Sequence, residues 1–191
     1  MQDVSQETPI CQGVSGVMPY LIRPAIPADI PKLSELLNVY MQETFQKAWG
    51  GNPQQLKQDC FGAEFEMLVA ETLEGEAIAF AAWKTSYDLH WCIKGGEVID
   101  LFVCREHRTR GVAMKLLVAV ANEIQKRGGV YIKGQAVNGT AERLYQRCAW
   151  CFTAAECFVS GRAFRRLAEL SGKEVREIVR GLPEQSWNYE P

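Results

Sequence analysis

The chain has 191 residues, 47% of them hydrophobic and 23% charged, which is the balance of one folded domain with a single core. Its net charge of −2 excludes a bulk electrostatic drive toward nucleic acid or an anionic membrane. No run of about 18 apolar residues is present, and the first residues lack a basic segment followed by an apolar one, so neither a transmembrane helix nor a secretory signal is expected. The seven cysteines are then expected as thiols of a cytoplasmic protein.

Residues 1–18 are polar, contain glycine and show no periodicity, and they read as a flexible leader. Tyr20 to Arg23 is a short strand, followed by a turn over Pro24 to Pro27. Asp29 suits an N-cap with Pro31 in the first turn, and Ile30, Leu33, Leu36, Leu37, Tyr40 and Met41 then repeat at helical spacing. Near the end of this helix Glu43, Phe45 and Trp49 cluster before Gly50-Gly51. Gln54 to Phe61 is a second short helix. Glu66 to Glu71 and Ala77 to Tyr87 form a hairpin about a turn at Leu73 to Glu76. Asp88 to Gly96 reads as a loop carrying His90 and Trp91, placed where it would cover a cleft.

The stretch from Glu97 to Arg127 carries the most information. Glu97 to Val103 is β-branched and aromatic, as a buried strand is. Ala113 to Ile124 has the i, i+4 stripe of a helix packed on a sheet. Between them Arg108, Thr109, Arg110 and Gly111 form a short basic turn. A helix N-terminus exposes unpaired N–H groups and about half a positive charge, so strand, basic turn and helix together make an anion cradle. Gly128-Gly129 ends the helix, Val130 to Ala136 is a strand, Gly139 to Arg147 a helix, and Trp150 to about Val159 one further strand. The resulting order, β-α-α-β-β-β-α-β-α-β over residues 19–160, predicts an α/β domain with a mixed sheet and helices on both faces. Residues 161–191 read as a helical extension. Phe164, Leu167 and Ala168 line one face of its first helix. Ser171-x-x-Glu174 reads as a capping box for a second helix with Val175, Ile178 and Val179. The other faces are rich in arginine. These helices either pack on the domain's own sheet or form a homodimer contact.

The cradle does not contain Gly-x-x-x-x-Gly-Lys-Ser/Thr, so a nucleoside triphosphate site is unsupported. Its spacing Arg108-x-x-Gly111-x-Ala113 resembles the Q/R-x-x-G-x-G/A signature of the GNAT superfamily of N-acetyltransferases. A second stretch, Asn138 to Trp150, resembles that family's N-x-x-A-x-x-L-Y-x-x-x-G-F motif, with Ala149-Trp150 standing for Gly-Phe. The resemblance covers roughly Leu21 to Ser160. It implies acetyl transfer from acetyl-CoA to an amine, with the two extra C-terminal helices added to the family's fold and no metal. The cosubstrate would contact Leu101, Phe102 and Val103 at the strand end, Arg108, Thr109, Arg110, Gly111, Val112 and Ala113 in the cradle, and Asn138. Tyr145 falls at the family's general-acid position, which protonates the leaving thiolate. The acceptor would meet the first helix and the segment after it, which brings in Glu43 and Phe45; His90 on its loop is a further candidate there.

An amine of pKa near 10.4 costs about 4.6 kcal/mol to deprotonate at pH 7, so a carboxylate base is one remedy. Asp100 and Glu97 are candidates. They are three apart on one strand and face opposite sides unless a bulge intervenes, so at most one should face the cleft. Asp100 is preferred, because a mid-strand charge needs a use or a partner; a structural ion pair is the alternative. Cys148-x-x-Cys151 allows a metal reading only if Cys104 and His107 converge on it. A non-catalytic acyl-CoA-binding domain is the competing functional reading. A charged tRNA as acceptor would call for a basic surface that the net charge does not supply.

Overall fold

The computed structural model describes residues 20–61, 64–153 and 157–190, so the leader expected over residues 1–18 lies outside the described residues. The elements run β1 (Leu21–Pro24), α1 (Ile30–Phe45), α2 (Pro53–Phe61), β2 (Glu66–Glu71), β3 (Ala77–Asp88), β4 (Ile93–Val103), α3 (Val112–Lys126), β5 (Ile132–Gly134), α4 (Gly139–Arg147), β6 (Cys151–Phe152), β7 (Cys157–Val159), α5 (Gly161–Glu169) and α6 (Val175–Gly181). They build a seven-stranded sheet in the order β1-β2-β3-β4-β5-β7-β6. Every neighbouring pair is antiparallel except β4 and β5, which run parallel. Among the described residues no helix is long and apolar enough to cross a membrane.

Alternation along β2, β3 and β4 feeds two cores. Met67, Val69, Phe80, Ala82 and Phe102 face α1 and α2, where Leu33, Leu36, Leu37 and Leu56 meet them. Leu68, Ala79, Ala81, Trp83 and Val98 face α3, where Leu116, Leu117, Val120 and Ile124 meet them. The approach on that side is close enough that a Cβ on Gly96 would lie 2.1 Å from Ile124 Cδ1, so only glycine fits there.

Three boundaries differ from the sequence reading. The stretch read as a loop over 88–96 is a tight hairpin, because β3 runs to Asp88 and β4 already begins at Ile93. Its end projects beyond the helices, which leaves Leu89 and Trp91 78% and 76% exposed. The single strand read over Trp150 to Val159 is two strands, β6 and β7, paired antiparallel, and β7 inserts between β5 and β6. The capping box belongs to Glu174 and Glu177 rather than Ser171 and Glu174; the Glu174 amide donates to Glu177 Oε2 at 3.2 Å.

The C-terminal helices pack on α3 rather than on the sheet. Ala163, Phe164, Leu167 and Ile178 are buried in the same core as α3. α3 is thereby covered on two sides, which explains why Met114, Lys115 and Val118 are buried as well as its sheet-facing stripe. Phe164 has no exposed surface. Phe164→Ala is expected to cost about 3–5 kcal/mol. Thermal unfolding should still show one cooperative transition, since α5 shares the core of the sheet; a small cost, or a separate early transition, would make the extension an independent unit.

Candidate active site

The geometry starts from one extra residue in β4. Trp83 of β3 pairs with Val98, but the next residue, Ala82, pairs with Asp100, so Ile99 is a β-bulge. The bulge shifts the alternation by one and puts Glu97 and Asp100 on the same face, that of α1. The bulge that the spacing argument names as its exception is therefore present, and the two carboxylates share a face. Their surroundings still separate them. Glu97 ion-pairs with Lys84 at 3.5 Å in a partly exposed setting. Asp100 is half-buried, and its Oδ1 accepts a 2.6 Å hydrogen bond from the Tyr40 hydroxyl. Burial pushes the Asp100 carboxyl above the ordinary carboxylate range, and the Tyr40 hydrogen bond partly opposes this. The Tyr40 phenol is pushed up in turn, first by burial and then by Asp100.

β4 is paired to β5 only at Gly96–Ile132 and Glu97–Lys133. Past these pairs the two strands part, and the backbone of Ile99 to Val103 faces an opening. Leu101 and Val103 turn toward the α3 side and Phe102 toward α1. Tyr145 of α4 reaches the same region from the α3 side. Its ring is 4% exposed and stacks on Trp150 with centroids 4.3 Å apart and planes 9° apart. Burial, then the acidic neighbours Cys157 and Asp100, push its phenol up. Asp100 thus acts electrostatically on two tyrosines that belong to different layers. Ala149, which replaces the motif's glycine, holds φ +62° and turns the chain so that Trp150 lies under Tyr145.

The turn before α3 has the character of an anion cradle. Thr109 holds φ +63° and Gly111 φ +82°, and Gly111 is the N-cap of α3 with no side-chain cap. The amides of Val112, Ala113 and Met114 therefore point out of the helix end without an intrahelical acceptor. Arg110 is exposed beside them and makes no ion pair among the described residues. Arg108 is used differently. Its Nε donates to the Val103 carbonyl at 2.8 Å, its guanidinium lies 5.5 Å from the Phe102 ring centroid, and Nη2 ion-pairs with Glu43. Glu43 is thus joined to the cradle. Phe45 sits edge-on to Tyr40 at 5.8 Å.

The surroundings of His90 and Asn138 are as follows. His90 is at the hairpin end with a 93% exposed side chain, 3.5 Å from Asp88. The strand carries Asp100 about 20 Å or more away from that end, because each residue advances about 3.3 Å. Asn138 caps α4: its Oδ1 accepts from the amides of Thr140 and Ala141, both at 3.0 Å. Among the described residues no group of three or more His, Cys, Asp or Glu is placed to hold a metal. Cys148 is buried and its thiol is pushed up to about 12, which suppresses the thiolate that a metal needs. His107 Nδ1 instead lies 3.0 Å from the Tyr20 hydroxyl.

Sequence reasoning missed Tyr40 and Lys115. Tyr40 lies in the apolar stripe of α1, and the available signal is a hydroxyl in an otherwise aliphatic stripe. Lys115 is buried, with Nζ 3.4 Å from Glu174 of α6. Val175 of α6 fills the space where a Gly111 side chain would lie, with 2.4 Å from an added Cβ to its Cγ1. The C-terminal extension therefore forms one wall behind the cradle.

A model of the Acetyltransferase (GNAT) family matches residues 31–150. No curated protein sequence matches the chain. Among solved structures, the ribosomal-protein-alanine N-acetyltransferase from Brucella melitensis biovar Abortus 2308 superposes with a TM-score of 0.56 at 18% identity, over 72% of this chain and 94% of that one. The yncA protein from Salmonella typhimurium, with its cofactor acetyl-CoA, superposes with a TM-score of 0.61 at 16% identity, over 74% and 94%. An aminoglycoside acetyltransferase from an uncultured soil metagenomic sample, in complex with sisomicin, superposes with a TM-score of 0.57 at 18% identity, over 66% and 85%. These likenesses establish the shared fold.

Gly111 is the residue most sensitive to substitution in the cradle. Gly111→Ala is expected to lose roughly 1–2 kcal/mol from the left-handed backbone alone, with a further cost from overlap with Val175. The melting temperature should fall by several degrees, measured by calorimetry. No change would mean that the turn relaxes freely.

Proposed function

The chain belongs to the GNAT family of acetyltransferases, and we propose that it moves an acetyl group from acetyl-CoA to a primary amine of a small molecule or a protein by direct attack. The observation that carries this reading is the sequence of parts along β4 and α3: the end of β4 runs past its pairing with β5, Asp100 sits on that stretch bonded to Tyr40, and the uncapped N-terminus of α3 follows it.

In this reading acetyl-CoA supplies the acetyl group as an activated thioester. The amides of Val112, Ala113 and Met114 and the Arg110 side chain hold its pyrophosphate, and Gly111 lets it approach the main chain. The pantetheine arm lies along Leu101 to Val103, where β4 has backbone groups to offer. Asp100 is the general base. A carboxyl lifted by burial binds a proton more tightly than an exposed one, which suits removal of a proton from an ammonium acceptor, directly or through water. Tyr40 is a positioning residue that fixes Oδ1 of Asp100. Tyr145 gives its proton to the leaving sulfur, and stacking on Trp150 holds the phenol ring in place. The acceptor enters on the α1 face, past Phe45 and Glu97.

A second reading, cosubstrate binding without turnover, draws on the pairing of Glu43 with Arg108, which removes one carboxylate from an acceptor's reach. Tyr145→Phe separates the two, since it keeps the ring stack and removes the proton. Turnover on an amine substrate should fall about 100-fold or more with acetyl-CoA affinity unchanged; unchanged turnover would sink the acid role.

Asp100 also makes a linked stability prediction. Its folded-state pKa is raised, so the folded protein holds the proton more tightly than the unfolded chain. Stability is then lost as pH rises from the ordinary aspartate value of 3.8 through the raised one, and the charged form at pH 7 is a net cost. Asp100→Asn should therefore raise the melting temperature at pH 7 while lowering turnover by about 100-fold or more. A fall in both would make Asp100 a structural partner of Tyr40 instead. Finally, acetyl-CoA at 100 times its Kd should stabilise the protein by about 2.7 kcal/mol. That shift in melting temperature should shrink in Arg110→Ala, and no shift at millimolar acetyl-CoA would remove the cradle from the mechanism.

A further inference from the structure

The arginines of the C-terminal extension take no part in the site above. Arg162, Arg165 and Arg166 of α5 stand at i, i+3 and i+4, which puts them on one helix face. Arg180 comes in from the last turn of α6. The four converge on a cleft of about 380 Å³ between α5, α6 and the turn at Gln185–Tyr189, with Leu182 and Trp187 as its apolar wall. The Arg162 and Arg166 guanidinium groups are held in place before any ligand arrives. Arg162 lies 3.9 Å from the centroid of the Trp187 ring and pairs with Glu190 at 2.8 Å. Arg166 Nε donates to the Gly181 carbonyl at 2.9 Å, and its Nη1 pairs with Glu169 at 3.2 Å. Groups already ordered lose little freedom on binding.

This concentration of positive charge occurs in a chain of net charge −2. The apolar faces of the same helices are buried against α3, so the fold uses their other faces and leaves the arginines to the cleft. We propose that the cleft binds a small molecule bearing a phosphoryl group. The planar guanidinium fork matches phosphate oxygens two at a time, and Leu182 with Trp187 offers surface for the organic part. The volume falls in the range of small-ligand sites, about 300–1,000 Å³. A nucleic acid fits less well. Glu169 and Glu190 lie within the patch, and the acidic balance of the rest of the chain repels an extended polyanion. The cleft is distinct from the α3 cradle: Val175, at the start of α6, backs the cradle, while Arg180 is at the other end of that helix.

The test is isothermal titration of the full chain with inorganic pyrophosphate in low-salt buffer free of phosphate. Four proteins are compared: wild type, Arg110→Ala, Arg165→Gln/Arg180→Gln and Arg165→Lys/Arg180→Lys. Both replaced cleft arginines are exposed, and circular dichroism checks the fold of the double variant. The expected result is binding that persists in Arg110→Ala, weakens at least about tenfold in the double variant, and returns largely in Arg165→Lys/Arg180→Lys. No binding at millimolar pyrophosphate, or equal binding in the double variant, overturns the proposal. So does a single-stranded oligonucleotide of about 20 nucleotides that binds more tightly than pyrophosphate and is lost in the same double variant, because the patch would then be a nucleic-acid surface.

Discussion

The site depends on where strand pairing stops. β4 and β5 share only two residue pairs and then part. Had they stayed paired, the backbone of Ile99 to Val103 would be satisfied inside the sheet, with nothing to offer a ligand. Parting opens a wedge at the C-terminal ends of parallel strands, beside the N-terminus of α3. Asp100 belongs to the α1 face of this stretch and Tyr145 to the core on the α3 face.

The bulge at Ile99 acts at the same place. Without it Asp100 would point into the α3 layer, among Leu116, Leu117 and Val120, where a carboxylate has no partner. With it, Asp100 reaches the Tyr40 hydroxyl. The residue that carries the reaction in the proposed mechanism thus sits where burial raises its proton affinity and where its charged form weighs against stability.

The extension works on the other side of α3. Its apolar faces complete the burial of that helix, and Glu174 and Val175 touch Lys115 and Gly111 directly. α3 is therefore held between sheet and extension, with its N-terminus aimed at the wedge. The same geometry turns the arginine faces of α5 and α6 away from the core and around the second cleft.

Much was legible in the chain. Helical and strand periodicity located α1, α2, α3, α4 and the hairpin of β2 and β3, because each buries one face and its residues repeat with the geometry of that face. The motif residues Arg108, Gly111, Asn138 and Tyr145 identified the family, since a local turn and a helix cap are set by neighbours in sequence. The split of β6 and β7 was not legible, nor was the parity shift at Ile99. Both are decided by partner strands far along the chain, and an apolar run reads alike with or without a break or an extra residue. The same holds for side-chain partners. Glu43 meets Arg108 and Tyr40 meets Asp100 only when α1 is laid on the sheet, and that packing brings together residues 65 and 60 positions apart. Sequence alone determined which residue types and local turns are present; tertiary structure alone decided which charges are paired and which are buried, because burial and partnership belong to contacts between distant segments.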